Sequence, residues 1–271
     1  MRKIFFALSA FSILISSCSQ NLDSKKQKNN PNEHLVMATL WFQRASECRA
    51  LYYQAFNMAK LSLDKQLSAD SDKSKPKAVV VDIDETVLDN SPFETNSIRT
   101  GKSLTSKAWK EWTDMAKASP TPGSLEFLKY AESKGVETFY ISNRDTSALL
   151  KTIENLKNLG FPFADKNHVL LKSETGIKTI RRNKVLETHD ILILAGDNLG
   201  DFDEFLQDRS TDFGFSKVDQ MKAQFGERFI VLPNPMYGSW EKEVMKSDEK
   251  LNPSEKENLR KKQLIGYEEL K

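Results

Sequence analysis

Five short apolar runs punctuate the chain after residue 75, at 78–81, 137–141, 168–171, 191–195 and 228–232. The first reads Ala-Val-Val-Val after Pro76, with no polar alternation, which is the pattern of a strand buried on both faces in a parallel sheet. Between the runs lie segments of helical periodicity at 124–133, 146–159 and 175–187, then at 203–207 or 217–225. This βαβα alternation predicts an α/β fold, a Rossmann-like parallel sheet core flanked by helices, with ligands at the carboxyl ends of the strands. Upstream, from His34, apolar residues such as Leu40, Ala45, Leu51, Ala55 and Met58 fall at helical spacing and predict one long helix or two. Tyr52, Tyr53 and Phe56 in that stretch read as packing residues.

The N-terminus has a different pattern. Arg2 and Lys3 precede an apolar run from Ile4 to Ile15, twelve residues long and too short to cross a bilayer core, which needs roughly 20. It ends Ile15-Ser16-Ser17-Cys18, which resembles the lipobox of bacterial lipoproteins, where the cysteine is lipid-modified after cleavage. The expected organisation is a signal peptide (1–17), a polar lipid-anchored tether (18–33) and an N-terminal helical segment packing with the cap (34–74). A core follows at 75–245, with a small mainly helical cap inserted at about 92–120, and then a charged helical tail (246–271). The expected location is the cell envelope, at the outer membrane with a periplasmic or surface-facing body. The forty basic and thirty-eight acidic residues give +2, and cleavage before Cys18 removes Arg2 and Lys3, leaving 38 against 38. The mature body is formally neutral, which argues against a nucleic-acid polymer as partner. A homodimer is left open.

Two cysteines cannot build a disulfide framework, and Cys48, left alone after lipidation, reads as an inert helical residue. His34, His168 and His189 are too few and too scattered for a histidine-rich metal site or a Ser-His-Asp triad, and read as structural or exposed. Gly101-Lys102-Ser103 lacks the glycine and the strand that a phosphate-binding loop requires. Arg181 and Arg182 read as a charged helix face.

At the carboxyl ends of the predicted strands the chain places Asp82, Asp84 and Thr86, then Ser142, Asn143 and Arg144, then Asp197 and Asp201. Four carboxylates at one edge repel unless a cation lies between them, and an all-oxygen set suits Mg²⁺ better than zinc or copper. A hydroxyl, an amide and a lysine beside them complement phosphate oxygens. Lys172 and Lys178 both compete for the lysine's place. With Mg²⁺ and a lysine present, such a site accepts a phosphate monoester dianion.

These residues resemble the haloacid dehalogenase superfamily. The closer similarity is to the bacterial class C nonspecific acid phosphatases, the lipoprotein 5′-nucleotidase family. The resemblance is carried by LVMATLWFQRASE, VVVDIDETVLDNSPF, FYISNR, GIKTIRRNKV, LAGDNLGDF and FIVLPNPMYGSWE, which span residues 35–241. It implies that Asp82 is the nucleophile forming an aspartyl phosphate, and that Asp84 is the general acid and then base. It implies Mg²⁺ held by Asp82, the Asp84 carbonyl, Asp197 and Asp201, with phosphate donors Ser142, Asn143 and, ahead of the arginine pair, Lys178. Phe93, Trp109 and Tyr237 match positions that sandwich a nucleoside base in the family, a role weighed evenly against plain packing of cap on core. Trp112 and Trp240 read as packing residues. The implied activity is acid hydrolysis of small phosphomonoesters such as nucleoside 5′-monophosphates and aryl phosphates. A phosphotransferase using the same intermediate, or a nucleotide- or haem-binding lipoprotein with incidental catalysis, stands as the alternative.

Overall fold

The computed structural model describes residues 30–70, 74–245 and 251–270. The signal run, Cys18 and most of the tether lie outside the described residues. Residues from Pro31 onward form one unit. No helix among the described residues is long and apolar enough to cross a membrane.

The N-terminal stretch forms two helices, α1 (Val36–Arg44) and α2 (Ser46–Ala69), divided where Ala45 adopts an extended backbone at φ −76°, ψ 124°. The buried stripe of α2 is Cys48, Tyr52, Phe56, Ala59 and Leu63. Leu40, Leu51 and Met58, expected on the inner stripe, are 47%, 41% and 43% exposed. The aromatic face wins because larger rings bury more area, and Tyr52 finds acceptors for its hydroxyl in the carbonyls of Glu85 and Pro233. Tyr52 and Phe56 pack as expected, whereas Tyr53 is half-exposed.

Strand β1 (Lys77–Val81) follows, then a two-stranded antiparallel ribbon of β2 (Leu88–Asp89) with β3 (Ser119–Pro120). Between the ribbon strands stand α3 (Ser91–Thr100) and α4 (Ser106–Asp114), the helical cap. Gln43 of α1 donates to Ser91 Oγ at 2.9 Å and Thr95 Oγ1 at 3.0 Å, tying the N-terminal helices to α3. Then come α5 (Ser124–Ser133), β4 (Glu137–Asp145), α6 (Leu149–Leu159), β5 (Val169–Lys172), α7 (Thr179–Thr188) and β6 (Asp190–Gly196). After β6 the predicted helix at 203–207 is a 3-10 turn over Glu204–Leu206, and that at 217–225 is α8 (Phe215–Gln220) followed by a second turn. Strand β7 (Phe229–Val231), α9 (Ser239–Val244) and α10 (Pro253–Lys262) complete the order.

The five long strands form one parallel sheet in the order β5-β4-β1-β6-β7. Alternate residues of β1 enter different cores. Val79 and Val81 pack with α2, α5 and α6, while Ala78 and Val80 pack with Val185 of α7, Phe202 and Phe229. Burial on both faces is why the strand reads as a continuous apolar run. The chain leaves β1 toward β4 on one side and returns to β6 on the other, so a crevice opens at the carboxyl end of β1, where ligands bind in such sheets.

Two boundaries differ from expectation in ways that shape this crevice. Strand β4 runs on to Asp145, with its pairing to β5 slipping after Ser142, so the Ser142–Arg144 motif stays on the sheet instead of entering a loop. Helix α7 begins at Thr179, because the Thr175 hydroxyl accepts the Ile177 N–H at 3.2 Å and holds a turn there. That turn delivers Lys178 at the helix cap position.

Candidate active site

Asp82 directly follows β1, and its N–H continues the ladder to Ala195 O at 2.9 Å, fixing its backbone against β6. Its buried carboxylate is ion-paired with Lys178, whose Nζ also reaches Asp201 Oδ1 at 2.6 Å. Asp197, just past β6, accepts from Asn234 Nδ2 at 2.8 Å and Thr86 Oγ1 at 3.3 Å. Asp201 accepts the Asn198 N–H at 2.9 Å. It folds back so closely over the end of β6 that a Cβ on Gly196 would lie 2.2 Å from Asp201 Oδ2 and 2.4 Å from its Cβ. Glycine at 196 is therefore a requirement of the site.

Carboxylate oxygens of Asp82, Asp197 and Asp201 all lie within 4.8 Å of one another. Burial pushes Asp82 well above the usual carboxylate range, with Lys178 opposing and Asp201 adding to the rise. Burial and the neighbouring Asp201 push Asp197 up to about 7, against the hydrogen bond from Asn234. Burial alone would lower Lys178, but Asp201 and Asp82 outweigh it and keep the ammonium protonated. Buried Asp82 and Asp201 thus share one ammonium, with the half-buried Asp197 beside them unpaired by any cation. That deficit of positive charge, with an all-oxygen donor set, fits a hard divalent cation held by these three side chains.

The fourth carboxylate behaves differently. Asp84 turns to Arg144, accepting from Nε at 2.9 Å and Nη2 at 2.8 Å, and also from Asn90 Nδ2 at 2.8 Å and Ser142 Oγ at 3.1 Å. All four carboxylates line one cavity, as expected, but only three group closely, because the Arg144 guanidinium claims the Asp84 side chain. Ser142 is fully buried, donating to Asp84 and accepting from the Arg144 N–H at 3.1 Å, so it stands behind the open wall. Asn143 and Lys178 line the cavity itself, as does Lys172, which touches neither Asp82 nor Asp201 through a hydrogen bond or ion pair.

Above the carboxylates the cavity, about 970 Å³, is walled by Phe93, Trp109 and Tyr237. Phe93 and Trp109 meet edge to face, with ring centroids 5.1 Å apart. Tyr237 donates its hydroxyl to Glu85 Oε2. Glu85 is fully buried in the left-handed region (φ 55°) and accepts the Asn90 N–H at 2.8 Å. Burial, with Asp84 and Asp197 close by, pushes its carboxyl well above the usual range. Trp112 of α4 packs against the main core and donates its indole N–H to Asn90 Oδ1 at 2.8 Å. Trp240, expected to pack, is 41% exposed.

Sequence reasoning missed the arginines. Arg181 and Arg182, read as a charged face, are buried. Arg181 donates to Ser142 O at 2.5 Å and Asn143 Oδ1 at 2.6 Å, and Arg182 donates to the carbonyls of Gly200 at 3.0 Å and Asp201 at 3.1 Å. They brace the loops after β4 and β6. Their available signal was spacing, since residues three and four beyond a site lysine return to the same helix face. Asn90, Arg144 and Asn234 were also missed in these roles. The histidines are structural, as expected of them: His168 and His189 lie 3.0 Å and 3.3 Å from Glu137 Oε2, at the opposite, amino-terminal edge of β4. Cys48 is buried, which pushes its thiol up to about 11 and leaves it unreactive.

A family model described as HAD superfamily, subfamily IIIB (acid phosphatase) matches residues 1–240, and the chain belongs to this family of phosphoric monoester hydrolases. The structure is similar to that of the class C acid phosphatase from Bacillus anthracis, at 44% identity and a TM-score of 0.83, over 88% of this chain and 99% of that one. A second structure of the Bacillus anthracis enzyme, with tungstate bound, matches at 44% identity and a TM-score of 0.82 over the same shares. Acid phosphatase 1 of Solanum lycopersicum is 25% identical over 165 residues, 58% of this chain; the match spans 57% of the tomato protein's length.

Proposed function

We propose that this protein is a Mg²⁺-dependent phosphatase that hydrolyses small phosphomonoesters, with nucleoside 5′-monophosphates and aryl phosphates as the substrate class. The observation that carries the reading is the buried Asp82 carboxylate, paired with Lys178 among Asp197 and Asp201 at the floor of a cavity with aromatic walls. The tungstate bound by the Bacillus anthracis relative is a tetrahedral oxyanion of phosphate's shape, which supports an oxyanion site here.

In this reading an Asp82 carboxylate oxygen attacks phosphorus, and the P–O bond to the leaving group breaks as the O–P bond of the aspartyl phosphate, a mixed anhydride, forms. Asp84 supplies the proton to the departing alkoxide. A water then attacks phosphorus and loses its proton to Asp84, releasing inorganic phosphate and restoring Asp82. Lys178 and Asn143 donate to the phosphoryl oxygens, with Ser142 beside them carrying the link to Asp84. Asp82, Asp197, Asp201 and the Asp84 carbonyl would hold Mg²⁺, which would supply charge screening between the anionic ester and the carboxylates. Phe93, Trp109 and Tyr237 stack on flat leaving groups, which tolerates many bases. Arg144 keeps Asp84 oriented through two of its nitrogens.

Turnover of a panel of nucleotide, sugar and aryl phosphates, with Mg²⁺ and with EDTA, tests this reading beside Asp82→Asn. Activity should fall by on the order of 10³-fold or more in the variant and be lost with EDTA. A variant as active as wild type would remove the mechanism. Phosphorylated glycerol exceeding free phosphate in the same assay would assign phosphotransfer instead. Lipid on Cys18 would hold this activity at the cell envelope, a part of the proposal supported by the sequence before Cys18.

A further inference from the structure

The cavity wall contains one acidic group that the mechanism does not use. Glu94, next to Phe93 in the first turn of α3, lines the cavity yet is only 4% exposed. Its Oε2 is sealed from solvent and accepts no hydrogen bond. Buried polar atoms are nearly always paired, because an unpaired one loses its hydration with nothing in return, and more so when charged. The surroundings supply no compensating cation: after burial, the charge acting on Glu94 is Glu241, a second carboxylate that also disfavours ionisation. Together they push Glu94 up to about 7. Of the five basic residues lining the same cavity, Arg144 is paired with Asp84, Lys110 with Asp114 and Lys178 with Asp82, and neither Lys172 nor Lys242 acts on Glu94. Glu94 thus borders the substrate cavity with no protein partner for its Oε2.

We propose that Glu94 is a specificity-determining residue: it accepts a hydrogen bond from an N–H group on the leaving group. The cavity thereby favours phosphate esters whose leaving group carries an amino donor over analogues without one. This rests on the phosphomonoesterase reading and deepens it. The rings of Phe93, Trp109 and Tyr237 accept any flat group, whereas a single acceptor placed beside Phe93 distinguishes one edge of that group from another. Sites that present an acceptor discriminate strongly against ligands that leave it unpaired.

The test uses substrate pairs differing only by an amino group: adenosine and purine riboside 5′-monophosphates, and 3-aminophenyl and phenyl phosphates. The ratio of kcat/KM for amino over des-amino ester is measured in wild type, Glu94→Gln and Glu94→Leu, so that changes in intrinsic reactivity or in the amount of folded enzyme cancel. The ratio should fall on the order of 10-fold in Glu94→Leu, which removes the acceptor, and by less in Glu94→Gln, which keeps an amide oxygen. Inhibition by adenosine and by purine riboside should show the same ordering without turnover. Should Glu94→Leu not fold, the fall in Glu94→Gln decides. Ratios within about 2-fold of wild type in the folded variants overturn the proposal while leaving the phosphatase reading intact. Wild-type protein that hydrolyses none of the four esters with Mg²⁺ overturns that reading, and this inference with it.

Discussion

Replacing Glu94 by Gln should convert a pH-dependent stability into a flatter one. The carboxyl is raised from 4.5 to about 7 in the folded protein, primarily by burial and then by Glu241. Because the folded pKa lies above the unfolded one, the folded state binds more protons between the two values, and stability falls as pH rises through that window. The contribution is fully present below pH 4.5 and lost above about 7. At about 1.4 kcal/mol per pKa unit the full amplitude is about 3 kcal/mol, and about 2.5 kcal/mol of it falls between about pH 5 and about pH 8. The glutamine amide carries no ionisable proton, so the stability of the variant relative to wild type should improve by that amount on going from the lower pH to the higher. In a folded body of this size that is a relative gain of about 5–10 °C in Tm, superimposed on whatever fixed cost the amide brings. Thermal unfolding of both proteins followed by circular dichroism across this range gives the difference directly, and other titrating groups cancel in the comparison. A difference between variant and wild type that stays constant with pH, or that moves against the variant as pH rises, would refute the assignment of a buried, uncompensated carboxyl.

Gly196→Ala should displace the whole Asp201 side chain, whose Cβ and Cγ lie 2.4 Å and 2.6 Å from the added methyl, and lower turnover by about 10-fold or more while raising the Mg²⁺ needed for half-activity. An unchanged metal titration would mean that Asp201 is not a ligand. Lys178→Ala should reduce kcat by on the order of 10²-fold and Lys172→Ala by only a few-fold, since Lys178 contacts Asp82 and Asp201; the reverse order would reassign the lysine. Cys18→Ala should move the mature protein from the membrane to the soluble fraction, and unchanged partitioning would count against the lipid anchor.

The sheet was legible because both faces of β1 are buried, which leaves a continuous apolar run that few other environments produce. The site was legible where backbone position suffices: Asp82 and Asp197 emerge directly from adjacent parallel strands, and Lys178 from the turn before α7. What stayed hidden depends on partners distant in sequence. The burial of Arg181 and Arg182 follows from carbonyls 39 and 18 residues away, and nothing local distinguishes them from the solvated charges of a helix. The diversion of Asp84 required Arg144, 60 residues on. Helix α2 misled by phase: both its aliphatic and its aromatic residues recur at helical spacing, and the hydroxyl acceptors of Tyr52, at Glu85 and Pro233, decided which face turned inward. Glu94 looks in sequence like an ordinary first-turn glutamate, because its burial and the like charge of Glu241, 147 residues on, arise only in the fold.

Asn90 is the junction of this arrangement, and its amide has a polarity that cannot be reversed cheaply. The oxygen accepts from Trp112 of the cap and from Arg144 at 3.3 Å, while the nitrogen donates to Asp84. Rotating the amide by half a turn would set donor against donor and acceptor against acceptor on both sides. The cap and the acid-base carboxylate are therefore parts of one interlock that assembles in a single orientation. A cap transplanted from a relative would have to bring an indole N–H at position 112 as well as its own aromatic wall. Swaps that alter the leaving-group pocket alone would leave Asn90 with a missing donor and Asp84 less firmly held, so that new specificity and intact chemistry would have to be acquired together.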